Sequence, residues 1–358
     1  MTGKVQVYEG LGGYAGQIGA VAVGLLDEFV RGLPPHSKAA TWALERIKEY
    51  SLRPSKRIRG SLAAAAYDHA TGQTYSQAGL QLAAAIEIAQ NYLLIVDDVI
   101  DRSDTRRGLP TVHRLYGKFA PEADEHEADM IGILVGELAG QIMNRIVSAI
   151  DEAPEHRLRV IQALTYDLTI TDLAQIDDIR HQFGTVGISE ADLLRKYQQK
   201  SSYYSFVNPL VCGLVLAGRD EQSVRRDAEA FGLPAGVAFQ LRDDYLGVFG
   251  EADSTGKPNL DDLREGKYTL MVHTAAQRAS AADKDLLGEL LGNESVGEVE
   301  LEQFRAILQS TGAADEAMAR ANEYVDTAVR AAHGSTSWSP EFGDMLAGLV
   351  KFAVNRAR

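Results

Sequence analysis

Apolar residues recur every three or four positions along most of the chain, and strictly alternating runs are scarce. That spacing predicts a helical protein with few strands. Ser76 stands where it would cap a helix running through an alanine-rich stretch to Asp101. Ser189 and Asp192 form a capping pair that opens a helix through Lys200. Breaks fall at Gly32-Leu33-Pro34-Pro35, Gly108-Leu109-Pro110, Gly184 to Gly187, Gly250 to Pro258 and Gly334 to Pro340. There is no fixed-period repeat, low-complexity tract or dividing linker, so one all-α domain over residues 1–358 is expected. Between Ala83 and Val96 only Glu87, Gln90 and Asn91 are polar. A helix apolar on nearly every side is a central one. Charges at its end are costly unless they are paired or hold a metal.

Composition narrows the function classes. With 45% hydrophobic residues in 358, the chain has enough apolar material for a large core. A net charge of −14 argues against a general nucleic-acid surface. The one cysteine, Cys212, excludes an intramolecular disulfide framework and a CxxC metal site, and its apolar run, Leu210 to Leu216, suits inert core. The opening MTGKVQVYEG lacks a basic stretch followed by an apolar one, and the longest apolar runs are interrupted by charge short of a membrane span. A cytoplasmic protein is therefore expected.

The apolar helix ends in Asp97-Asp98-Val99-Ile100-Asp101. Asp97 and Asp101, four apart, share a helix face, with Asp98 alongside. Three carboxylates so close raise one another's proton affinity and call for a cation. Arg102, Arg106, Arg107 and Arg114 follow. Oxygen-only ligands on one face also suit Mg²⁺, which keeps waters and is completed by substrate phosphates, and paired guanidiniums offer forked donors to phosphate oxygens. By itself the pattern equally suits a solvated helix end with arginine neighbours.

A second stripe, Gln240, Asp243 and Asp244, follows the apolar stretch Phe231 to Phe239. After it comes a loop with Lys257, then Asp261-Asp262-Leu263-Arg264-Glu265-Gly266-Lys267. Taken alone these residues favour a mobile solvated loop; the other reading is a loop whose Lys257 and Lys267 close over a phosphate. Facing carboxylate stripes would hold several Mg²⁺ ions around a diphosphate and neutralise it as its C–O bond breaks.

These segments resemble the trans-isoprenyl diphosphate synthases, the polyprenyl synthetase family, and most closely its short-chain geranylgeranyl type. DDVIDRSDTRRG (Asp97 to Gly108) is similar to the first aspartate-rich motif, FQLRDDYLGVFG (Phe239 to Gly250) to the second, and DDLREGK (Asp261 to Lys267) to the loop after it. In motif order the resemblance covers about residues 40–280. It implies an all-α isoprenoid-synthase bundle around a central cavity, a homodimer, and several (about three) Mg²⁺ ions. It further implies that Asp97 and Asp101 bind Mg²⁺ with Asp98 assisting, and that Asp243 holds another ion with Asp244 beside it. Arg106, Lys200 and Lys257, joined by Lys267, would grip the allylic diphosphate, with Gln240 and Ser201 at the same site. Lys56, Arg59 and Arg107 would hold isopentenyl diphosphate, with Gln90 nearby. Gln175 and Asp178 resemble the family's Gln-x-x-Asp helix near the allylic chain. Ser55-Lys56-Arg57-Ile58-Arg59-Gly60 stands where Gly-Lys-x-x-Arg-Pro is usual, Gln90 where many members have histidine, Ser201 in place of threonine, and Gly247 in place of the second motif's last aspartate.

The implied reaction is ionisation of an allylic diphosphate, head-to-tail attack by isopentenyl diphosphate, and proton loss. No Ser–His or Cys–His arrangement points to a covalent intermediate. Five residues of helix descend about 7 Å, so Tyr92 and Leu93 lie below the metals, with Ala89, Ala85 and Ala84 deeper still. In the resemblance this favours a C20 product, with C15 and C25 as alternatives. A class I terpene cyclase is a rival, opposed by the basic set Lys56, Arg59 and Arg107. A non-catalytic partner subunit is another, opposed by the surviving motif aspartates.

Overall fold

The computed structural model describes residues 8–182, 188–250 and 260–355, and these are helical almost throughout. After a short 3₁₀ turn the chain forms α1 (Gly12–Arg31), α2 (Lys38–Leu52), α3 (Ile58–Thr71) and α4 (Gln77–Ile100). A two-stranded hairpin, β1 (Thr105–Arg106) and β2 (Leu109–Pro110), precedes α5 (Val112–Phe119), α6 (Glu125–Ala149) and α7 (Pro154–Gln182). Then come α8 (Glu190–Tyr197), a π-helical segment (Gln198–Val207), α9 (Asn208–Leu216) and α10 (Glu221–Phe249). The rest is α11 (Asp261–Arg264), α12 (Leu270–Arg278), α13 (Ala281–Leu290), α14 (Glu298–Ser310), α15 (Ala313–Gly334) and α16 (Pro340–Asn355). The fold is all-α, as the periodicity predicts.

The caps explain where helices begin. Ser76 accepts from the Gly79 N–H and starts α4, as expected. Ser189 and Asp192 form a capping box at α8. One expectation needs revision: α8 stops at Tyr197, so Lys200 rides on the π-helical segment and not on a continuing α-helix. Such segments are rare and frequent at functional sites.

The described residues divide into two compact units. The first comprises those of Met1–Leu164 with Pro209–Val224, the second those of Thr165–Asn208 with Arg225–Arg358. In the first, α4 is the buried axis: Leu82, Ala83, Ala84, Ala85, Ile88 and Ala89 are sealed from solvent. Its small side chains let neighbours approach closely. A Cβ at Gly60 of α3 would strike the Ala83 carbonyl, and one at Gly136 of α6 would strike Val96. Both α4 and α6 reach the length and mean hydropathy of a membrane span, contrary to the sequence expectation, yet 67% of the apolar window of α4 is buried within the protein.

In the second unit, Val248, Leu263, Met271, Val272, Phe304 and Leu308 belong to one core cluster. The π-helical segment lies against α10 where Gly232 and Gly236, one turn apart, leave room for Val207 and Ser202.

Candidate functional site

In the first unit the site starts at the end of α4. Asp101 is its C-cap, and the Asp101 N–H bonds the Asp97 carbonyl at 2.8 Å, so their side chains leave the helix one turn apart on one face. Asp98 is fully buried. It accepts from Tyr50 Oη at 3.0 Å and from Arg106 Nε at 2.5 Å, and Arg106 also reaches Asp97 at 3.4 Å. Burial pushes the Asp98 carboxyl up, and Arg106 and Tyr50 oppose that push. The same two aspartates hold the Arg106 guanidinium charged despite its own burial. Asp97, Asp98 and Arg106 therefore form one ion-paired cluster that keeps a net negative charge.

The hairpin explains the Arg-Arg-Gly tail. Arg106 pairs with Leu109, which leaves Arg107 and Gly108 as a two-residue turn with φ of +56° and +75°. Positive φ at both turn positions is the twist-matched hairpin geometry. Arg107, held in this sparsely populated conformation, brings its guanidinium 5.9 Å from the centre of the Tyr50 ring. Arg53 anchors both strands: it donates to the Arg106 carbonyl at 3.2 Å and the Pro110 carbonyl at 2.8 Å, and it stacks over Tyr50 at 4.4 Å. Lys56 and Arg59 flank Arg57 at the start of α3, both half-buried. The buried Glu87 of α4 accepts from the Gly60 N–H at 3.0 Å and lies 4.0 Å from Arg57, which steadies this basic segment. Gln90 is half-buried on the same helix, and the ring of Tyr92 lies across Gly140 of α6.

In the second unit, Gln240, Asp243 and Asp244 sit near the end of α10. Asp244 is buried; Gln240 donates to its Oδ1 at 2.8 Å and Tyr197 donates to its Oδ2. Burial pushes its carboxyl up to about 6 against those bonds, with the charge of Asp262 adding to the rise. The Tyr197 oxygen also accepts from the Leu270 N–H at 2.9 Å, joining α8 and α10 to the start of α12. Ser201 donates to Gln240 Oε1 at 2.6 Å, so a continuous chain runs from the π-helical segment to the second motif.

Gln175 and Asp178 lie one turn apart on α7, both half-buried. Asp178 accepts from Lys200 at 2.5 Å and from Lys196 at 2.8 Å. Burial pushes its carboxyl up, but the two ammonium groups outweigh this and hold it well below the usual carboxylate range. Lys267 bonds Asp262 at 2.6 Å. Lys257 lies outside the described residues.

Sequence reasoning did not single out Tyr50, Arg53, Glu87, Lys196, Tyr197 or Asp262 as site residues. Glu87 stands out as the one charge in an apolar helix and Asp262 lies within DDLREGK, whereas nothing in the linear pattern marks the others except their proximity to motif residues. Among the described residues, no three or more His, Cys, Asp or Glu are gathered closely enough to hold a metal by themselves. The donor set nonetheless fits one kind of ion. Asp97 and Asp101 offer oxygen ligands from adjacent turns, and Mg²⁺ needs only one or two carboxylates when water and phosphate oxygens complete its shell.

Residues 41–308 match the protein family described as polyprenyl synthetase. A geranylfarnesyl diphosphate synthase of Aeropyrum pernix is 30% identical over 282 residues, 78% of this chain and 83% of that one. A geranylgeranyl diphosphate synthase of Sulfolobus acidocaldarius is 28% identical over 279 residues, 77% and 79% of the two chains. Among solved structures, geranylgeranyl pyrophosphate synthase from Corynebacterium glutamicum, complexed with isoprenyl diphosphate and magnesium, has a TM-score of 0.88 at 28% identity, covering 97% of this chain and 99% of that one.

Proposed function

Because this chain belongs to the polyprenyl synthetase family, we propose that it condenses isopentenyl diphosphate head to tail with an allylic diphosphate, giving geranylgeranyl diphosphate. The carrying observation is a repeated arrangement. At each motif an aspartate pair lies at the end of a long helix, and its second aspartate is buried and anchored by a tyrosine, Tyr50 on Asp98 and Tyr197 on Asp244.

Asp97 and Asp101, and separately Asp243, would hold Mg²⁺, with Asp98 and Asp244 as their buried companions. Bound Mg²⁺ supplies Lewis-acid neutralisation of the departing diphosphate. Arg106, Lys200 and Lys267 bind and orient the allylic diphosphate, with Gln240 and Ser201 fixing the second motif beside it. Lys56, Arg59 and Arg107 receive isopentenyl diphosphate. The chain's contribution is orientation and preorganised charge, not a nucleophile. Both units act as one catalytic domain in this reading. Tyr92 forms the floor that sets a C20 product.

A homodimer is part of the proposal. Met130, Ile133, Leu134 and Leu138 form one exposed apolar face of α6, spaced as i, i+3, i+4 and i+8. A second copy covering that face would remove it from water. A cytoplasmic setting agrees with the single buried free thiol, Cys212.

The test incubates the purified protein with Mg²⁺, isopentenyl diphosphate and each of dimethylallyl, geranyl and farnesyl diphosphate, and weighs the dephosphorylated prenols. A C20 alcohol supports the full reading. A C15 or C25 alcohol keeps the synthase and removes the floor. A cyclic hydrocarbon formed without isopentenyl diphosphate makes the chain a cyclase, and no product makes it a partner subunit.

A further inference from the structure

Within the second unit the backbone around Lys267 is tied on both sides. After it, the Leu270 N–H donates to the Tyr197 oxygen at 2.9 Å, the same oxygen that bonds Asp244. Before it, the ties run to the turn between α13 and α14. The Leu263 carbonyl accepts from the Gly292 N–H at 2.9 Å as well as from the Gly266 N–H at 3.2 Å. Gly266 and Gly292 stand against each other, both in the left-handed region, with φ of +70° and +79°. A Cβ at 266 would lie 3.1 Å from the Gly292 Cα, a crowded distance, so the close approach of the two backbones depends on glycine there. Arg264 completes the seat: its Nη2 and Nε both donate to the Val296 carbonyl, at 2.7 and 3.2 Å. Leu263 and Val296 are themselves buried in the core cluster of this unit. Residues 292–296 lie beyond the motif-bearing stretch, and no motif marks them.

We propose that the turn between α13 and α14 is the seat that positions Lys267 for a diphosphate, with Arg264 and Gly292 as positioning residues that act through that lysine. A lysine is a point charge on a long flexible stem, so its hold on a phosphate depends on where its backbone is fixed. Asp262 and Glu265 meet its Nζ at 2.6 and 3.3 Å, but both lie on the same segment and move with it. The ties to Gly292, Val296 and Tyr197 reach outside the segment and fix it to the rest of the unit. That Lys267 meets a diphosphate rests on the prenyl synthase reading. The seat itself does not.

The test is a double-mutant cycle on the full chain, with R264A, K267A and R264A/K267A, joined by G292A and by the conservative variants R264K and G292N. Two readouts are taken: the affinity for Mg²⁺ with inorganic pyrophosphate, measured by calorimetry, and the melting temperature without ligand. K267A is expected to weaken binding roughly tenfold, the scale of one charge-assisted hydrogen bond. R264A is expected to weaken it by about threefold to tenfold when Lys267 is present, and to add nothing in the K267A background, because its effect passes through that lysine. R264K should restore binding, since both arginine donors meet one carbonyl that an ammonium also serves. G292A strains the left-handed turn and should behave as R264A, whereas asparagine tolerates that conformation and G292N should bind as wild type does. A purely structural seat would lower the melting temperature of R264A and G292A and leave their affinity unchanged, and that result overturns the proposal. So does an R264A effect of equal size with and without Lys267, a K267A protein or a wild type that shows no Lys267-dependent binding of Mg²⁺–pyrophosphate, or failure of both conservative variants to restore it. A wild-type chain that makes no prenyl product, yet shows the coupled loss of binding, would overturn the synthase reading and support this one.

Discussion

Tyr50 donates a 3.0 Å hydrogen bond to Asp98 from a position 48 residues earlier in the chain. Both groups are buried, and Arg106 closes the other side of the carboxylate. In the second unit Tyr197 treats Asp244 in the same way. A buried carboxylate needs such partners, because leaving it unsatisfied costs its full desolvation. Replacing Tyr50 by Phe removes one of them. The expected loss is about 1–3 kcal/mol of stability. Urea unfolding of Tyr50→Phe, Asp98→Asn and the double variant checks this: the double should lose less than the sum of the singles, and strict additivity would show that the contact carries no energy.

Arg106 serves two carboxylates at once. Arg106→Leu leaves Asp98 buried with its main countercharge gone, and breaking such a pair costs about 3–5 kcal/mol. Arg106→Lys keeps the charge and loses the fork that spans Asp97 and Asp98. The lysine variant is expected to fold with a smaller stability loss and to show a raised KM for the allylic diphosphate. Unchanged KM in a folded Arg106→Lys protein would remove Arg106 from the diphosphate site.

Tyr92 lies across Gly140, where an added Cβ would meet the ring at 3.7 Å, an ordinary contact distance. Tyr92→Ala removes the proposed floor, and the product is expected to lengthen from the proposed C20 to C25 or beyond. Gly140→Ala adds a contact without clash and should leave chain length alone. Mass analysis of the prenols decides. The same C20 product from Tyr92→Ala would place the floor elsewhere.

Asp227 carries a pH-dependent part of the stability. Burial would push its carboxyl up, but bonds from the Ser337 and Ser335 hydroxyls, the Thr336 N–H and Arg226 hold it down at about 2. A carboxyl depressed in the folded state stabilises above its unfolded value and loses that contribution as pH falls. The stability difference between wild type and Asp227→Asn should be about 1–2 kcal/mol near pH 7 and shrink between pH 4 and pH 2. A difference that stays constant across that window would show that the charge of Asp227 is not what those donors stabilise.

Much of the helical frame was legible before any coordinates. The bounds of α4 follow from Ser76 and the acidic end at Asp101, and the capping box at Ser189 and Asp192 opens α8 as read. These features are local: a cap and a helix face involve residues three or four apart, and spacing alone reports them. The aspartate pairs, the basic residues and Gln240 were legible as candidates for the same reason.

Tertiary structure decided the rest. Spacing does not reveal that Arg107 and Gly108 turn a hairpin. Nor does it show that Arg53 pins that hairpin to α2, or that the chain winds as a π-helix through Lys200 and Ser201. It also does not reveal which aspartate of each motif is buried. Nor does it show that the Asp262 carboxyl lies where a side chain at position 247 would begin. Hydrophobic period and capping determine where helices form, because those energies arise between near neighbours in the chain. Which tyrosine meets which aspartate, and which carboxylate fills which gap, depends on close packing between distant segments, and that is settled only when the core assembles.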